Sequence, residues 1–189
     1  TDAGVVVSSI TADTTYIYAL MKGGTIITPN SISKMTMGGS VVGVINTGIT
    51  TPGDTSLVVS STGFLYAAFA DPSTMEVRKI DPMPINGIPQ IYTFASPPTF
   101  LLPVGTDIYV ISGYDLYSIS SITDVRTLLH TYAYEPSGMI FDGVNLWLTH
   151  DDALVRCNLA GDEIDTLIPQ ASQDILSLMS TSGFIWTGY

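Results

Sequence analysis

Along this chain the apolar residues come in runs of four to six, separated by Gly, Pro, Asn, Asp, Ser and Thr. Apolar positions recurring every three or four residues, the mark of a helix, are nearly absent. Short runs with this punctuation predict strands joined by tight turns. A first cycle reads as strands over 5–7, 15–21, 25–28 continued by 32–37 beyond Pro29-Asn30, and 41–45 after a hairpin turn at Gly38-Gly39. A Thr-, Gly- and Pro-rich loop over 46–55 precedes a second cycle at 57–59, 64–69, 75–80 and 91–94, in which the proline-rich stretch 81–89 is a loop or sheet edge. A third cycle covers 100–102, 108–111, 115–119 and 125–129, and a fourth covers 139–141, 145–149, 154–159 and 164–168. A fifth shows two strands, 175–179 and 184–187.

The second strand of every cycle carries the same device, an aliphatic residue followed by Tyr or Trp: Ile17-Tyr18, Leu65-Tyr66, Ile108-Tyr109, Leu146-Trp147 and Ile185-Trp186. The aromatics are separated by 48, 43, 38 and 39 residues. Four short strands in a period of about 40–45 residues is the size of one β-propeller blade. A four-stranded antiparallel sheet is too small to stand alone, and stacking such sheets buries both faces of each. An aliphatic residue on one face and a bulky ring on the other would fill both interfaces, each ring burying about 150–250 Å². The expected fold is therefore all-β, a propeller with four blades and half of a fifth. One domain spans 1–189, with blades over 5–46, 56–95, 99–130, 137–169 and 174–189. The chain is expected to be part of a larger ring, or a ring completed by another chain.

The fourth cycle carries a more specific pattern. Asp142-Gly143-Val144-Asn145-Leu146-Trp147-Leu148-Thr149, followed by Leu154-Val155-Arg156-Cys157-Asn158-Leu159-Ala160-Gly161, resembles the "DG-x-NLW-V-T … V-x-x-x-DL-x-G" repeat of YVTN/NHL-type propellers, the virginiamycin B lyase-like proteins among them. Elsewhere Thr106-Asp107-Ile108-Tyr109-Val110 lacks the Asn, and Tyr16-Ile17-Tyr18 lacks the Asp-Gly turn. The resemblance implies the fold and carries over no catalytic residue, because propellers host enzymes, receptors and structural hubs alike.

Composition narrows the function classes. Charged residues make up only 12% of the chain against a usual quarter or so, and the polar surface comes from Ser, Thr, Gly and Asn instead. The formal net charge is −11, and the basic residues Lys22, Lys34, Lys79, Arg78, Arg126 and Arg156 form no run. That argues against nucleic acid and against anionic membranes as partners. No apolar stretch approaches the roughly 20 residues a membrane-spanning helix needs. The lone Cys157 excludes an intrachain disulfide and suits a small buried strand residue better than a nucleophile, since no His lies in a partner motif. Its presence leaves the redox compartment open.

Weak Ca²⁺ binding would draw on Asp142, Asn145, Asp151 and Asp152, where hard oxygen ligands cluster, although the twelve-residue calcium loop is missing. The acidic pairs Asp151-Asp152 and Asp162-Glu163, with Asp165 beside the second, flank one strand and read as turn residues rather than as a converging catalytic pair. His150-Asp151 has the order of a base and its orienter but lacks a nucleophile in context, and His130 reads as the end of a strand. No catalytic residue, cofactor loop or metal centre is expected; Tyr18, Tyr66, Tyr109, Trp147 and Trp186 are read as structural.

The function expected from these features is a non-enzymatic structural or binding module. A rigid platform would offer its loops to other protein chains, or to the remainder of its own chain, within an oligomeric assembly. The hydroxyl-rich, Lys-poor composition points to an extracellular or virion setting, such as a bacteriophage tail. The alternatives are a secreted or periplasmic propeller lyase or hydrolase, and a cell-surface scaffold. Reading Trp147 as a buried wedge, Trp147→Ala should cost about 3–5 kcal/mol of unfolding free energy in a denaturant titration.

Overall fold

A computed structural model describes residues 6–22, 30–49, 54–71, 73–83, 89–150, 153–167, 177–181 and 184–188. Among these the regular structure is entirely β. The first sheet is β1 (Val6–Ala12), β2 (Tyr16–Lys22), β3 (Ser31–Thr36) and β4 (Val41–Asn46); the second is β5 (Asp54–Val59), β6 (Leu65–Phe69), β7 (Glu76–Ile80) and β8 (Gln90–Thr93). The third is β9 (Pro98–Val104), β10 (Asp107–Ser112), β11 (Asp115–Ser120) and β12 (Arg126–Thr131); the fourth is β13 (Gly138–Phe141), β14 (Leu146–His150), β15 (Ala153–Cys157) and β16 (Glu163–Leu167). A two-stranded sheet, β17 (Ser177–Thr181) and β18 (Phe184–Gly188), completes the series. Each sheet is an antiparallel meander in sequence order. The first strands β1, β5, β9, β13 and β17 lie side by side in that order, and among the described residues the series does not close into a ring. The fold is a partial β-propeller.

The packing follows from strand alternation. In β6, Leu65, Ala67 and Phe69 point back and join Tyr18, Leu20, Ile32 and Ile45 of the first sheet in one core cluster. Their neighbours Tyr66 and Ala68 point forward, into a cluster with Ile108 and Val110 of the third sheet. Tyr109 and Ile111 then face Leu146, Leu148, Val155 and Cys157 of the fourth sheet. In β6 and β10 the second strand thus sends its aliphatic residue to the preceding sheet and its aromatic to the following one. A period of two along the strand is what allows one short segment to serve two interfaces.

The sequence-based bounds differ from the structure in informative places. β1 runs on to Ala12, beyond the apolar run 5–7, because its register with β2 continues to Ala12↔Ile17. β9 includes Pro98 and Pro103, tolerated because the strand pairs within its sheet on one side only, with β10. The loop expected over 46–55 is shorter: Asn46 ends β4 and Asp54 opens β5. The strand expected over 25–28 lies outside the described residues.

The aromatics themselves part company. Tyr18, Tyr66 and Tyr109 are 1%, 0% and 5% exposed, whereas Trp147 is half-buried and Trp186 is 58% exposed. The reading of Trp147 as a fully buried wedge is corrected accordingly. It faces forward like the tyrosines, but among the described residues only the two-stranded sheet follows it. In denaturant titrations Tyr109→Ala should therefore cost about 3–5 kcal/mol and Trp147→Ala only about 1–2 kcal/mol.

Candidate functional site

The turn before the second strand is built around one carboxylate. In the fourth sheet Asp142 Oδ1 accepts the N–H groups of Val144 (2.8 Å) and Asn145 (2.7 Å), and Oδ2 accepts the indole Nε1–H of Trp147 at 2.6 Å. Gly143 takes a φ of +103°, which only glycine adopts without strain. The first sheet repeats this arrangement without glycine: Asp13 Oδ1 accepts from Thr15 and Tyr16, and Oδ2 accepts the Tyr18 hydroxyl at 3.0 Å. The sequence reading missed this copy because it looked for Asp-Gly. The transferable signal is the five-residue spacing from Asp to aromatic, Asp13 to Tyr18 and Asp142 to Trp147. Burial works against both charges, but the converging donors outweigh it and hold both carboxyls below the usual aspartate range.

Of the calcium candidates, Asp142 thus spends both oxygens on the turn and the ring, while Asn145 lends its backbone N–H to the same turn. Asp151 and Asp152 lie outside the described residues. Among the described residues no group of three or more His, Cys, Asp and Glu is placed to hold a metal ion.

Three of the scattered cations occupy one equivalent position. Lys34 is paired with Tyr18, Lys79 with Tyr66 and Arg156 with Trp147, each on the third strand directly opposite the aromatic. At the junction of sheets two and three, Lys79 Nζ donates to the Ser121 carbonyl at 2.9 Å and to Asp124, and the Tyr92 hydroxyl donates to Asp124 at 3.2 Å. Ser121 and Asp124 belong to the turn between β11 and β12, the outer turn of the following sheet. Asp124 sits at a φ of +59°, a left-handed position that Asp tolerates better than most side chains. The hydroxyl of Tyr66 is buried beside this knot without a hydrogen-bond partner.

Sheets three and four meet through an aromatic ladder that joins both histidines. His150 stacks on Tyr134 at 4.0 Å and 14°, Tyr134 on Tyr132 at 5.3 Å and 22°, and Tyr132 lies 4.5 Å from His130. The outer turn of the fourth sheet, with the first residue of β16, anchors the tyrosines of this ladder and Tyr109. Leu159 O accepts Tyr109 (3.0 Å), Gly161 O accepts Tyr132 (2.8 Å) and Glu163 accepts Tyr134 (3.1 Å). His130 Nδ1 stands 3.9 Å from Asp162. Gly161, at a φ of +89°, lets the turn approach, since a Cβ there would lie 2.7 Å from His130 Cβ. Cys157 lies beneath Tyr132, its Sγ 3.6 Å from the hydroxyl. Burial, opposed by that hydroxyl and assisted by Glu163 and Asp162, pushes the thiol up to about 11. It is therefore protonated at neutral pH and is no nucleophile.

An open cavity of about 440 Å³ lies where β9 and β13 begin, lined by Thr99, Glu135, Pro136 and Ser137. The Ser137 hydroxyl is engaged by Thr149, 3.0 Å from its Oγ1. Among its described lining residues there is no histidine or cysteine, and their polar groups can hold a ligand by hydrogen bonds.

No protein-family profile matches the chain, and no curated protein does. Solved structures do. A catalytically inactive virginiamycin B lyase from Staphylococcus aureus with quinupristin matches with a TM-score of 0.75 and 16% identity over 100% of this chain and 71% of that one. A chain of the mitotic checkpoint complex matches with a TM-score of 0.75 and 15% identity over 96% of this chain and 58% of that one. The extracellular domain of the hybrid two-component system BT4673 from B. thetaiotaomicron matches with a TM-score of 0.72 and 11% identity, over 96% of this chain and 26% of that one. These likenesses establish the propeller fold, in agreement with the resemblance carried by residues 142–161.

The turn carboxylate and the seam thiol each give a measurable expectation. A folded pKa below the unfolded one means that Asp142 contributes stability present above about pH 4 and lost as pH falls through its folded value. Asp142→Asn should cost about 1–2 kcal/mol at pH 7, less whatever solvent screens, and should flatten the acid limb of a stability–pH curve. Cys157 should resist a thiol-exchange reagent in buffer, with under about a tenth labelled in an hour, and react fully in guanidinium.

Proposed function

We propose that the chain is a non-enzymatic binding module, a rigid propeller platform that presents its loops to other protein chains in an extracellular assembly. One observation carries this reading: the side chains best equipped for chemistry are consumed in fastening one sheet to the next. Lys79 is bound by the Ser121–Asp124 turn, Tyr132 and Tyr134 by the turn of the fourth sheet, and both histidines are stacked in the ladder. Rigid seams with variable loops suit recognition, which needs a fixed frame and an adaptable surface.

Two of the matched structures support the setting. One is named as part of a multi-protein complex and another as an extracellular domain, and the low charge density with abundant hydroxyls agrees with an exterior surface. A bacteriophage-tail or virion role rests on that composition alone. Native mass spectrometry of the protein purified from its source should find it at fixed stoichiometry with a second protein chain. Recovery only as a free monomer would overturn the assembly reading.

A further inference from the structure

We propose that the open cavity between the third and fourth sheets takes a cationic nitrogen group, the ammonium of a lysine or the guanidinium of an arginine that a partner chain inserts there. The proposal names the partner chemistry for one site on the platform and so rests on the reading of the chain as a protein-binding module.

The cavity, about 440 Å³ and lined by Thr99, Glu135, Pro136 and Ser137, is large enough for such a side chain. Its walls are fixed by local structure. On one side the Ser137 N–H donates to the Thr149 carbonyl at 2.7 Å, and the Ser137 hydroxyl donates to the same carbonyl at 3.2 Å. Gly138 lets this loop close on β14, since a Cβ there would lie 2.9 Å from Thr149 Oγ1. On the other side Ile111 pairs with Phe100 and Ser112 with Pro98, so Thr99 is the extra residue of a β-bulge. A bulge re-aims its unpaired side chain out of the regular alternation. The Ser112 hydroxyl donates to the Ser96 carbonyl at 2.6 Å and holds the loop that leads into β9.

What these walls offer a ligand is mostly acceptors. Pro136 has no N–H, and the Ser137 N–H and O–H are both spent on Thr149, which leaves the hydroxyl oxygen to accept. The Thr99 hydroxyl accepts as readily as it donates. Glu135 is exposed, and among the described residues nothing bonds to its carboxylate. The acids of the second–third-strand turns at the same end are taken: Asp71 by Ser73, Glu76 by Arg78, and Asp115 by Thr131 and Tyr117. The cations Lys34, Lys79, Arg78, Arg126 and Arg156 are held over rings or by other acceptors. A carboxylate that no cation of the fold neutralises, set among acceptor oxygens, repels anions and receives the several N–H groups of an ammonium or guanidinium.

Blocked tripeptides serve as probes. Amide spectra of the isotope-labelled 189-residue chain, titrated with a blocked glycine–lysine–glycine peptide or its arginine counterpart, should show saturable shifts at Ser137 and Gly138. The dissociation constant expected for one such contact is about millimolar. Citrulline in place of arginine, which keeps the shape and removes the charge, should leave these amides unmoved, as should a glutamate peptide. Glu135→Gln should weaken the lysine peptide at least about fivefold with an unchanged unfolding midpoint, because the carboxylate bonds to nothing in the fold. Absence of shifts at about 20 mM peptide, equal binding of the citrulline peptide, or equal binding by Glu135→Gln would overturn the proposal. So would butylammonium binding at least about fivefold more tightly than the lysine peptide, which would make a free amine the occupant. This test and the native-mass test fail separately: a chain found at fixed stoichiometry with a partner but indifferent to lysine and arginine would lose this pocket and keep the module.

Discussion

The structure depends on a single constraint: the inner sheets are apolar on both faces, and each such face must be covered by a neighbouring sheet. Four strands of about five residues bury too little by themselves, so stability comes from the seams between sheets. The second strand settles how. Leu65 faces back while Tyr66 faces forward, Ile108 back while Tyr109 forward, Leu146 back while Trp147 forward. The alternation gives the stack a direction, because Tyr18 clusters with Leu65, Tyr66 with Ile108 and Tyr109 with Leu146.

A buried aromatic with a polar tip also imposes a second requirement, since its hydrogen must find an acceptor. The chain meets this in two ways. Tyr18 and Trp147 bond to an Asp five residues upstream, inside their own sheet. Tyr109 bonds forward to the Leu159 carbonyl, in the next sheet's outer turn. Tyr66 does neither: Ser60 stands at the head of its turn and bonds to Phe64 and Thr62 instead. The outer turns therefore act as caps as well as connectors, and the buried cations Lys34 and Lys79 belong to the same system.

That system explains why chemically capable residues gather at the seam between the third and fourth sheets. Cys157, Tyr132, His130 and Asp162 come together because the outer turn of the fourth sheet must cover the rings of the third. The thiol is buried and protonated, and the Tyr132 hydroxyl is committed to Gly161. On the proposed binding role, the surface available for recognition is what the seams leave over, the loop ends and the open cavity at Glu135.

Much of this was legible from residues alone, because strand alternation and turn chemistry are local properties. The aliphatic–aromatic pairs fixed the second strands and the period, and the period implied stacked four-stranded sheets. The match of residues 142–161 to a propeller repeat agreed with the fold found. What the sequence could not show was pairing across distance. Lys34, Lys79 and Arg156 looked scattered because their common position, opposite an aromatic, is a matter of register between strands. Asp13 passed unnoticed because its turn works without glycine, and both histidines meet only through a seam between sheets. The burial of Tyr109 and the exposure of Trp186 were equally hidden. Both rings sit in the same local pattern, and what covers a ring is the outer turn of the next sheet, some 50 residues onward in the case of Tyr109 and Leu159.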